Sequence, residues 1–130
     1  MAYYIDTSAL VKLVVAKPET AALRSWIAAE HPSLVSSDLA RTELLRVVRR
    51  VLPDRLEQAR AVLDSITLTK VVTPVFEAAG LVDPTILRTL DAVHLASALE
   101  LGDDLDGIVS YDERMAGAAR SHGITVVAPR

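Results

Sequence analysis

The sequence contains no cysteine, which excludes disulfide bonds and metal sites built on thiolate ligands. Aromatic residues are scarce as well, at 4% of the chain, whereas hydrophobic residues make up 51%. Most of this apolar content comes from Ala, Leu and Val, which favours helices packed on a buried aliphatic sheet over an all-β sandwich. The mean hydropathy of +0.31 argues against disorder.

Two further features are missing from the sequence. No apolar run is long enough to span a membrane, and the N-terminus lacks the basic and long apolar regions of a secretion signal. We therefore expect a cytoplasmic protein. The net charge of −3 gives no global signal for nucleic-acid binding, and 130 residues are enough for one domain, which we place at 1–130.

Short strand-like runs alternate with helical patterns along the whole chain. This alternation predicts an α/β fold of three layers, in which helices cover both faces of a central, mostly parallel sheet of four to five strands. The predicted strands are 2–5, 34–36, 67–72, 108–110 and 125–127. The predicted helices are 9–15, 18–29, 38–51 (with residue 37 or 38 as its cap), 53–66, 74–82, 89–101 and 112–122.

Four acidic residues lie in apolar surroundings, where a carboxylate is costly to desolvate unless a positive charge compensates it. Asp6 and Asp112 follow predicted strands, Glu43 lies one turn into a helix, and Asp91 lies early in the helix before the fourth strand. Helices that follow strands begin at the carboxyl edge of a parallel sheet, where ligands bind, so the topology allows all four to converge there. Such an oxygen-only set suits Mg²⁺ or Mn²⁺, ions that commonly bridge to a substrate phosphate and can activate water.

Each acid also has a simpler explanation when it is taken alone. Asp6 and Asp112 could cap the helices that follow them. The other two could pair with a basic residue on their own helix, the candidates being Arg46 or Arg50 for Glu43 and Arg88 or His94 for Asp91. His94 is otherwise interpreted as a core histidine or as a hydrogen-bond partner of its own helix turn. These explanations do not predict that all four acids fall at one edge.

Arginines cluster in one stretch of twenty residues, at positions Arg41, Arg46, Arg49, Arg50, Arg55 and Arg60. Clustered arginines can bind phosphates, although an exposed, solvated helix face is the commoner meaning of such a run. On charge alone, the solvated face is the favoured interpretation.

The segments that carry the acids resemble the four ordered motifs of the PIN-domain ribonucleases, and specifically of the VapC-type toxins of bacterial type II toxin–antitoxin pairs. Tyr-Ile-Asp-Thr-Ser-Ala-Leu-Val-Lys contains Asp6, and Ser-Ser-Asp-Leu-Ala-Arg-Thr-Glu-Leu-Leu-Arg contains Glu43. Leu-Arg-Thr-Leu-Asp-Ala-Val-His-Leu-Ala-Ser-Ala-Leu contains Asp91, and Val-Ser-Tyr-Asp-Glu-Arg-Met contains Asp112. The resemblance covers nearly the whole chain, and none of the four acids is missing.

The resemblance implies a Mg²⁺- or Mn²⁺-dependent endoribonuclease that cuts tRNA or rRNA and so arrests translation and growth. It also implies a homodimer that a small cognate VapB-type antitoxin neutralises. The four acids would be the metal-binding and catalytic residues, with Thr7, Ser8 and Ser110 as polar support. Arg41 and Arg46 become the first candidates for RNA contact, with antitoxin or dimer contacts equally open.

Other classes of protein fit the sequence less well. A phosphatase of the haloacid dehalogenase type needs a second Asp two residues after the first, where this chain has Ser8. A response-regulator receiver needs an acidic pair after the first strand, and Asp6 stands alone there. A non-catalytic interaction module, whose acids bind a structural metal or the basic tail of a partner, remains an alternative.

Overall fold

A computed structural model describes residues 2–130 and shows one sheet of five parallel strands. The strands are β1 (Ala2–Ile5), β2 (Ser33–Ser37), β3 (Thr67–Thr69), β4 (Leu105–Val109) and β5 (Val126–Val127). Their order across the sheet is β3-β2-β1-β4-β5. The chain moves outward in one direction from β1 to β3 and then crosses back to β4, so the order reverses between β1 and β4. Such a switch point leaves a crevice at the carboxyl ends of the two strands.

Helices connect the strands and cover both faces of the sheet. They are α1 (Thr7–Lys12), α2 (Thr20–Glu30), α3 (Asp38–Val51), α4 (Leu56–Asp64), α5 (Thr73–Leu81), α6 (Thr89–Leu99) and α7 (Glu113–Ser121), with short 3₁₀ turns at Pro53–Arg55 and Gly102–Asp104. None of these helices is both long and apolar enough to cross a membrane, within residues 2–130. The predicted three-layer α/β/α fold is confirmed.

The hydrophobic core is divided by the sheet because successive side chains of a strand point to opposite faces. Ile5 belongs to the cluster that packs beneath α1, α3 and α4, together with Leu10, Leu44 and Leu63. Its neighbour Tyr4 points to the other face and packs in the cluster formed with α6 and α7. β1 is therefore buried on both faces, and the residue that follows it is held firmly at the crevice.

The fourth strand begins three residues earlier than predicted, at Leu105, and ends at Val109. Asp106 and Gly107 concealed it, because aspartate and glycine are rare inside strands. Glycine is required here by close packing: a Cβ at position 107 would lie 2.8 Å from the carbonyl oxygen of Thr125 and 3.2 Å from the ring of Tyr3. The absence of a side chain lets β5 approach β4, and Ile108 N–H donates to that Thr125 carbonyl at 2.8 Å.

Other element boundaries differ from the prediction by a few residues. α1 begins at Thr7 rather than residue 9, since Asp6 is itself the cap and its carboxylate accepts from the backbone N–H of Ala9. β3 ends at Thr69, because residues 70–72 leave the sheet to enter α5. Ser37 is the N-cap residue of α3, but its side chain makes no capping hydrogen bond.

Candidate active site

The structure brings all four acids to the carboxyl edge of the sheet, at the crevice between β1 and β4. Asp6 follows β1 directly, and Asp112 lies three residues beyond the end of β4. Glu43 lies in the second turn of α3, which follows β2, and Asp91 lies in the first turn of α6. They divide into two pairs by burial and by partner. Asp6 and Glu43 form the inner pair, and Asp91 and Asp112 form the outer pair.

Asp6 is buried, with 4% of its surface exposed, and is surrounded by neutral donors. Its Oδ1 accepts from Ser8 Oγ at 2.5 Å and from the Ala9 N–H at 3.2 Å, and its Oδ2 accepts from Ser110 Oγ. Burial raises the pKa of Asp6 above its ordinary value, although the hydrogen bonds from Ser110 and Ser8 act in the opposite direction. The carboxylate is thus oriented by the fold and retains a tendency to bind a cation or a proton.

Ser8 and Ser110 also link the two loops that follow β1 and β4. The backbone N–H of Tyr111 donates to Ser8 Oγ at 2.9 Å, and that of Asp112 donates to Ser110 Oγ at 3.2 Å. Each hydroxyl therefore accepts a hydrogen bond from a backbone N–H of the loop after β4 and donates one to Asp6. The structure therefore places both serine hydroxyls beside Asp6.

Glu43 is held by two side chains from other elements. Its Oε1 accepts from Thr7 Oγ1 at 2.7 Å and from His94 Nε2 at 2.5 Å. The other ring nitrogen of His94, Nδ1, lies 2.6 Å from the hydroxyl of Tyr4, within hydrogen-bond distance. Because an ionised carboxylate can only accept, Nε2–H is the donor to Glu43. Partial burial opposes the ionisation of Glu43, but its hydrogen bond and electrostatic interaction with His94, together with the hydrogen bond from Thr7, outweigh that effect and lower the pKa.

His94 is buried as predicted, with 2% exposed, but its partners differ from the predicted ones. It does not bond to its own helix turn or to Asp91. The interpretation of Glu43 as a partner of Arg46 or Arg50 was also wrong, because its side chain points across to α1 and α6. Sequence reasoning missed Tyr4, whose only signal was a polar tip inside an otherwise apolar strand.

The outer pair is joined by Arg88, the N-cap residue of α6. Arg88 Nε donates to Asp91 Oδ2 at 2.9 Å, as one of the sequence alternatives predicted, and Nη2 donates to Asp112 Oδ2 at 3.2 Å. The hydrogen bond to Asp91 raises the pKa of Arg88. Asp112 also caps α7, because its Oδ1 accepts from the backbone N–H groups of Arg114 and Met115. The Asp112 side chain therefore both caps α7 and belongs to the outer pair of acids.

The six clustered arginines between positions 41 and 60 are all exposed. Within residues 2–130 none of them forms an ion pair or a side-chain hydrogen bond. Arg41 and Arg46 lie on α3, the helix that also carries Glu43. Their side chains are therefore available to a partner.

A divalent metal fits the chemistry of this site, although the acids are not arranged as a finished coordination sphere. Within residues 2–130, no three acidic or histidine side chains are close enough together to hold a metal as they stand. Glu43 Oε2 and Asp91 Oδ1 accept no hydrogen bond there, so each has an oxygen available to a ligand. The Arg88 guanidinium already occupies a cation position between the outer acids. The donor set is oxygen only, as Mg²⁺ and Mn²⁺ prefer.

Comparison with known proteins gives one consistent result. Residues 3–121 match the model of the family described as the PIN domain. A relative from Mycobacterium tuberculosis, Ribonuclease VapC46, is 44% identical over 128 residues, which cover 98% of each chain. The crystal structure of Mycobacterium tuberculosis VapC20, titled a Sarcin-Ricin loop cleaving toxin, superposes with a TM-score of 0.78 at 17% identity, covering 98% of this chain and 100% of that one. A toxin–antitoxin complex from Klebsiella pneumoniae contains a chain with a TM-score of 0.75 at 18% identity, covering 99% and 98%.

Proposed function

Because the chain belongs to the PIN-domain family, and within it to the VapC ribonucleases, we propose that it is a metal-dependent endoribonuclease toxin of a toxin–antitoxin pair. Its substrate would be tRNA or rRNA, and its action would inhibit translation and growth. The observation that carries this proposal is the placement of four acids at the carboxyl edge of one sheet, two of them bridged by Arg88. All five strands belong to one sheet, which supports a single PIN domain.

The residues that would hold Mg²⁺ or Mn²⁺ are the four acids themselves. Glu43 and Asp91 each offer an oxygen without a hydrogen bond in residues 2–130. Asp6 retains acceptor capacity as well, since a carboxylate oxygen can accept about two bonds and Asp6 Oδ2 accepts one. When bound, such an ion lowers the pKa of a coordinated water and neutralises charge that develops on the phosphate.

The remaining chemistry is the work of neighbouring side chains. Ser8 and Ser110 fix the orientation of the Asp6 carboxylate, and Thr7 and His94 fix that of Glu43. Because these donors are buried or half-buried, the inner pair need not reorganise when RNA arrives. Arg41 and Arg46 are exposed on α3 and suit contact with the phosphates of an RNA or with acidic residues of an antitoxin.

Protein partners are part of the proposal: a second copy of the chain and a small VapB-type antitoxin. Large apolar side chains are exposed around α5 and the start of α6, including Phe76 at 55% and Leu90 at 50%. Phe76 and Leu90 line a cavity of about 430 cubic ångströms, together with Leu39, Val71 and Val93. Contiguous exposed apolar surface is typical of a protein interface, which supports assembly at this face.

The first test is cleavage of labelled RNA by the purified protein with and without Mn²⁺, compared with an Asp6→Asn variant. We expect cleavage to require the metal and to fall by at least about 100-fold in the variant, because a ligand is lost. Asn can keep the hydrogen bonds of Ser8 and Ala9, so the variant should fold. Circular dichroism and thermal unfolding check that expectation.

The matched control is Asp106→Asn, which removes one negative charge from an exposed position near the amino end of β4. It should cleave RNA at the wild-type rate. An Asp6→Asn protein that also cleaved at the wild-type rate would contradict the assignment of the site. Metal binding by the wild type without any metal-dependent cleavage would favour the interaction module instead.

A further inference from the structure

Arg88 occupies a special place among the basic residues of the chain. Within residues 2–130 it is the only arginine or lysine whose side chain contacts any of the four acids. It contacts two of them at once, with distances of 2.9 Å to Asp91 Oδ2 and 3.2 Å to Asp112 Oδ2. A single guanidinium thus supplies the positive charge that keeps the outer pair together.

The same two oxygens belong to the acids that would hold the divalent ion. A guanidinium and a divalent ion that bind the same two carboxylates repel each other, and each lone pair that Arg88 uses is one that the ion cannot use. Arg88 also acts electrostatically on Glu43, lowering its pKa as a lesser cause. Metal binding at the outer pair therefore competes with Arg88, most directly at Oδ2 of Asp91 and Asp112.

Release of Arg88 is inexpensive because its side chain is 57% exposed. Ion pairs at this level of exposure are well solvated and contribute little. The backbone of Arg88 is fixed as the N-cap of α6, three residues before Asp91, so the freed guanidinium stays at the rim of the site. Arg88 already borders an open groove of about 460 cubic ångströms, which is lined in part by Ile86, Glu113 and Arg114.

A planar guanidinium next to a hydrolytic site has an obvious ligand in RNA. Arginine binds phosphate in a bidentate manner and is the residue most suited to that task. We propose, on the basis of the ribonuclease function proposed above, that Arg88 is a substrate-binding residue that exchanges partners. It bridges Asp91 and Asp112 in the metal-free protein, yields them to the divalent ion, and then binds a phosphate of the RNA next to the cleaved bond.

This exchange predicts that one substitution strengthens metal binding and weakens RNA binding. In Arg88→Met, a side chain of similar length without charge, Mn²⁺ no longer competes with an internal cation. We expect Mn²⁺ to bind about 3-fold to 10-fold more tightly, in keeping with the modest strength of exposed ion pairs. At saturating Mn²⁺ the KM for RNA should rise by about 10-fold or more, because a charged hydrogen bond to phosphate is lost, while kcat changes much less.

The Mn²⁺ affinity is measured without RNA, by following the electron paramagnetic resonance signal of free Mn²⁺ during titration of the intact protein. Arg88→Lys keeps the charge but not the two-pronged geometry, and it should give an intermediate Mn²⁺ affinity. Arg114→Met is the matched control: it removes an exposed arginine from the same groove, at a side chain that contacts none of the four acids within residues 2–130. Its Mn²⁺ affinity should equal that of the wild type.

The inference is overturned if Arg88→Met binds Mn²⁺ no more tightly than the wild type, or if its KM for RNA is unchanged. It is also overturned if Arg114→Met tightens Mn²⁺ binding equally, because the effect would then reflect general charge at the rim. In all three results the wild type still cleaves RNA, and the proposed function stands. A wild-type protein that binds Mn²⁺ but does not cleave RNA would instead overturn the proposed function.

Discussion

The inner and outer pairs of acids lie at one edge of the sheet, but the fold holds them by different means. Asp6 and Glu43 accept hydrogen bonds from hydroxyl, imidazole and backbone donors that are themselves buried or half-buried. Asp91 and Asp112 depend on one exposed guanidinium, apart from the helix-capping bonds of Asp112. The inner pair is therefore oriented when the chain folds, whereas the outer pair can change partner afterwards.

This difference suggests a division of roles in the proposed metal site. Donors locked in a core hold their acceptors in the position that a transition state requires and need no rearrangement during the reaction. An exposed cation can be exchanged for a metal or a phosphate at little cost. A site that combines the two is rigid on one side and open to exchange on the other.

Among the residues that support the acids, the largest effect should come from Ser110→Ala, which breaks the inner support. Ser110 is 1% exposed, and its hydroxyl is the only donor to Asp6 Oδ2 within residues 2–130. Its removal leaves a buried carboxylate oxygen without a partner, so we expect the free energy of unfolding to fall by about 1–3 kcal/mol. Cleavage should fall by about 10-fold to 100-fold, as is usual when the support of a metal ligand is lost. Urea unfolding and RNA cleavage rates measure the two effects.

Ser97→Ala provides the comparison for that variant. Ser97 is also a buried serine, but its hydroxyl donates to the carbonyl of Val93 in its own helix, at 2.8 Å, and touches no acid. Its loss should lower stability less and leave cleavage unchanged. Equal losses of activity in the two variants would show that Asp6 gains nothing specific from Ser110.

An intermediate effect is expected from Tyr4→Phe, which removes the second layer of support behind Glu43. Burial raises the pKa of Tyr4 from its ordinary 10.0 to about 12. The unfolded chain therefore loses this proton at a lower pH than the folded protein, and stability from Tyr4 is complete below pH 10 and lost as pH rises towards 12. At neutral pH the variant should lose about 0.5–1.5 kcal/mol, the usual contribution of one hydrogen bond.

Between pH 10 and 12 the order of stability of the wild type and the Tyr4→Phe variant should reverse. The wild type should lose stability by up to about 1.4 kcal/mol per pH unit through this group alone, and the phenylalanine variant should lack that component. Urea denaturation over the alkaline range measures it. Parallel pH profiles for the two proteins would contradict the assignment of Tyr4 to a buried, hydrogen-bonded phenol.

The smallest effect should come from the outer pair, in the stability of Arg88→Met. The Arg88 side chain is more than half exposed, so its loss should lower the melting temperature by no more than about 2 °C in metal-free buffer. High salt should reduce that difference further, because the added ions screen the two ion pairs of Arg88. A loss as large as that of Ser110→Ala would mean that the two pairs are equally built into the fold.

Much of the site could be predicted because it depends on where strands end. Asp6 and Asp112 follow β1 and β4, and the alternation of strands and helices was enough to place both at one edge. The partners of the acids depend on packing between elements far apart in the chain. The bond between His94 and Glu43 joins residues 51 positions apart, and the bond between Arg88 and Asp112 spans 24. Periodicity along one helix carries no information about either.

The lengths of the acidic side chains have a consequence of their own. Asp6 and Asp112 both cap helices, a task that needs a short side chain able to fold back onto the backbone N–H groups ahead of it. Glu43 lies inside α3 and must reach outward to Thr7 and His94, which requires the additional methylene of glutamate. An exchange of aspartate for glutamate at any of these positions would preserve the charge of the site and still disturb it. For this edge of the sheet, the reach of each carboxylate is as much a part of the design as its charge.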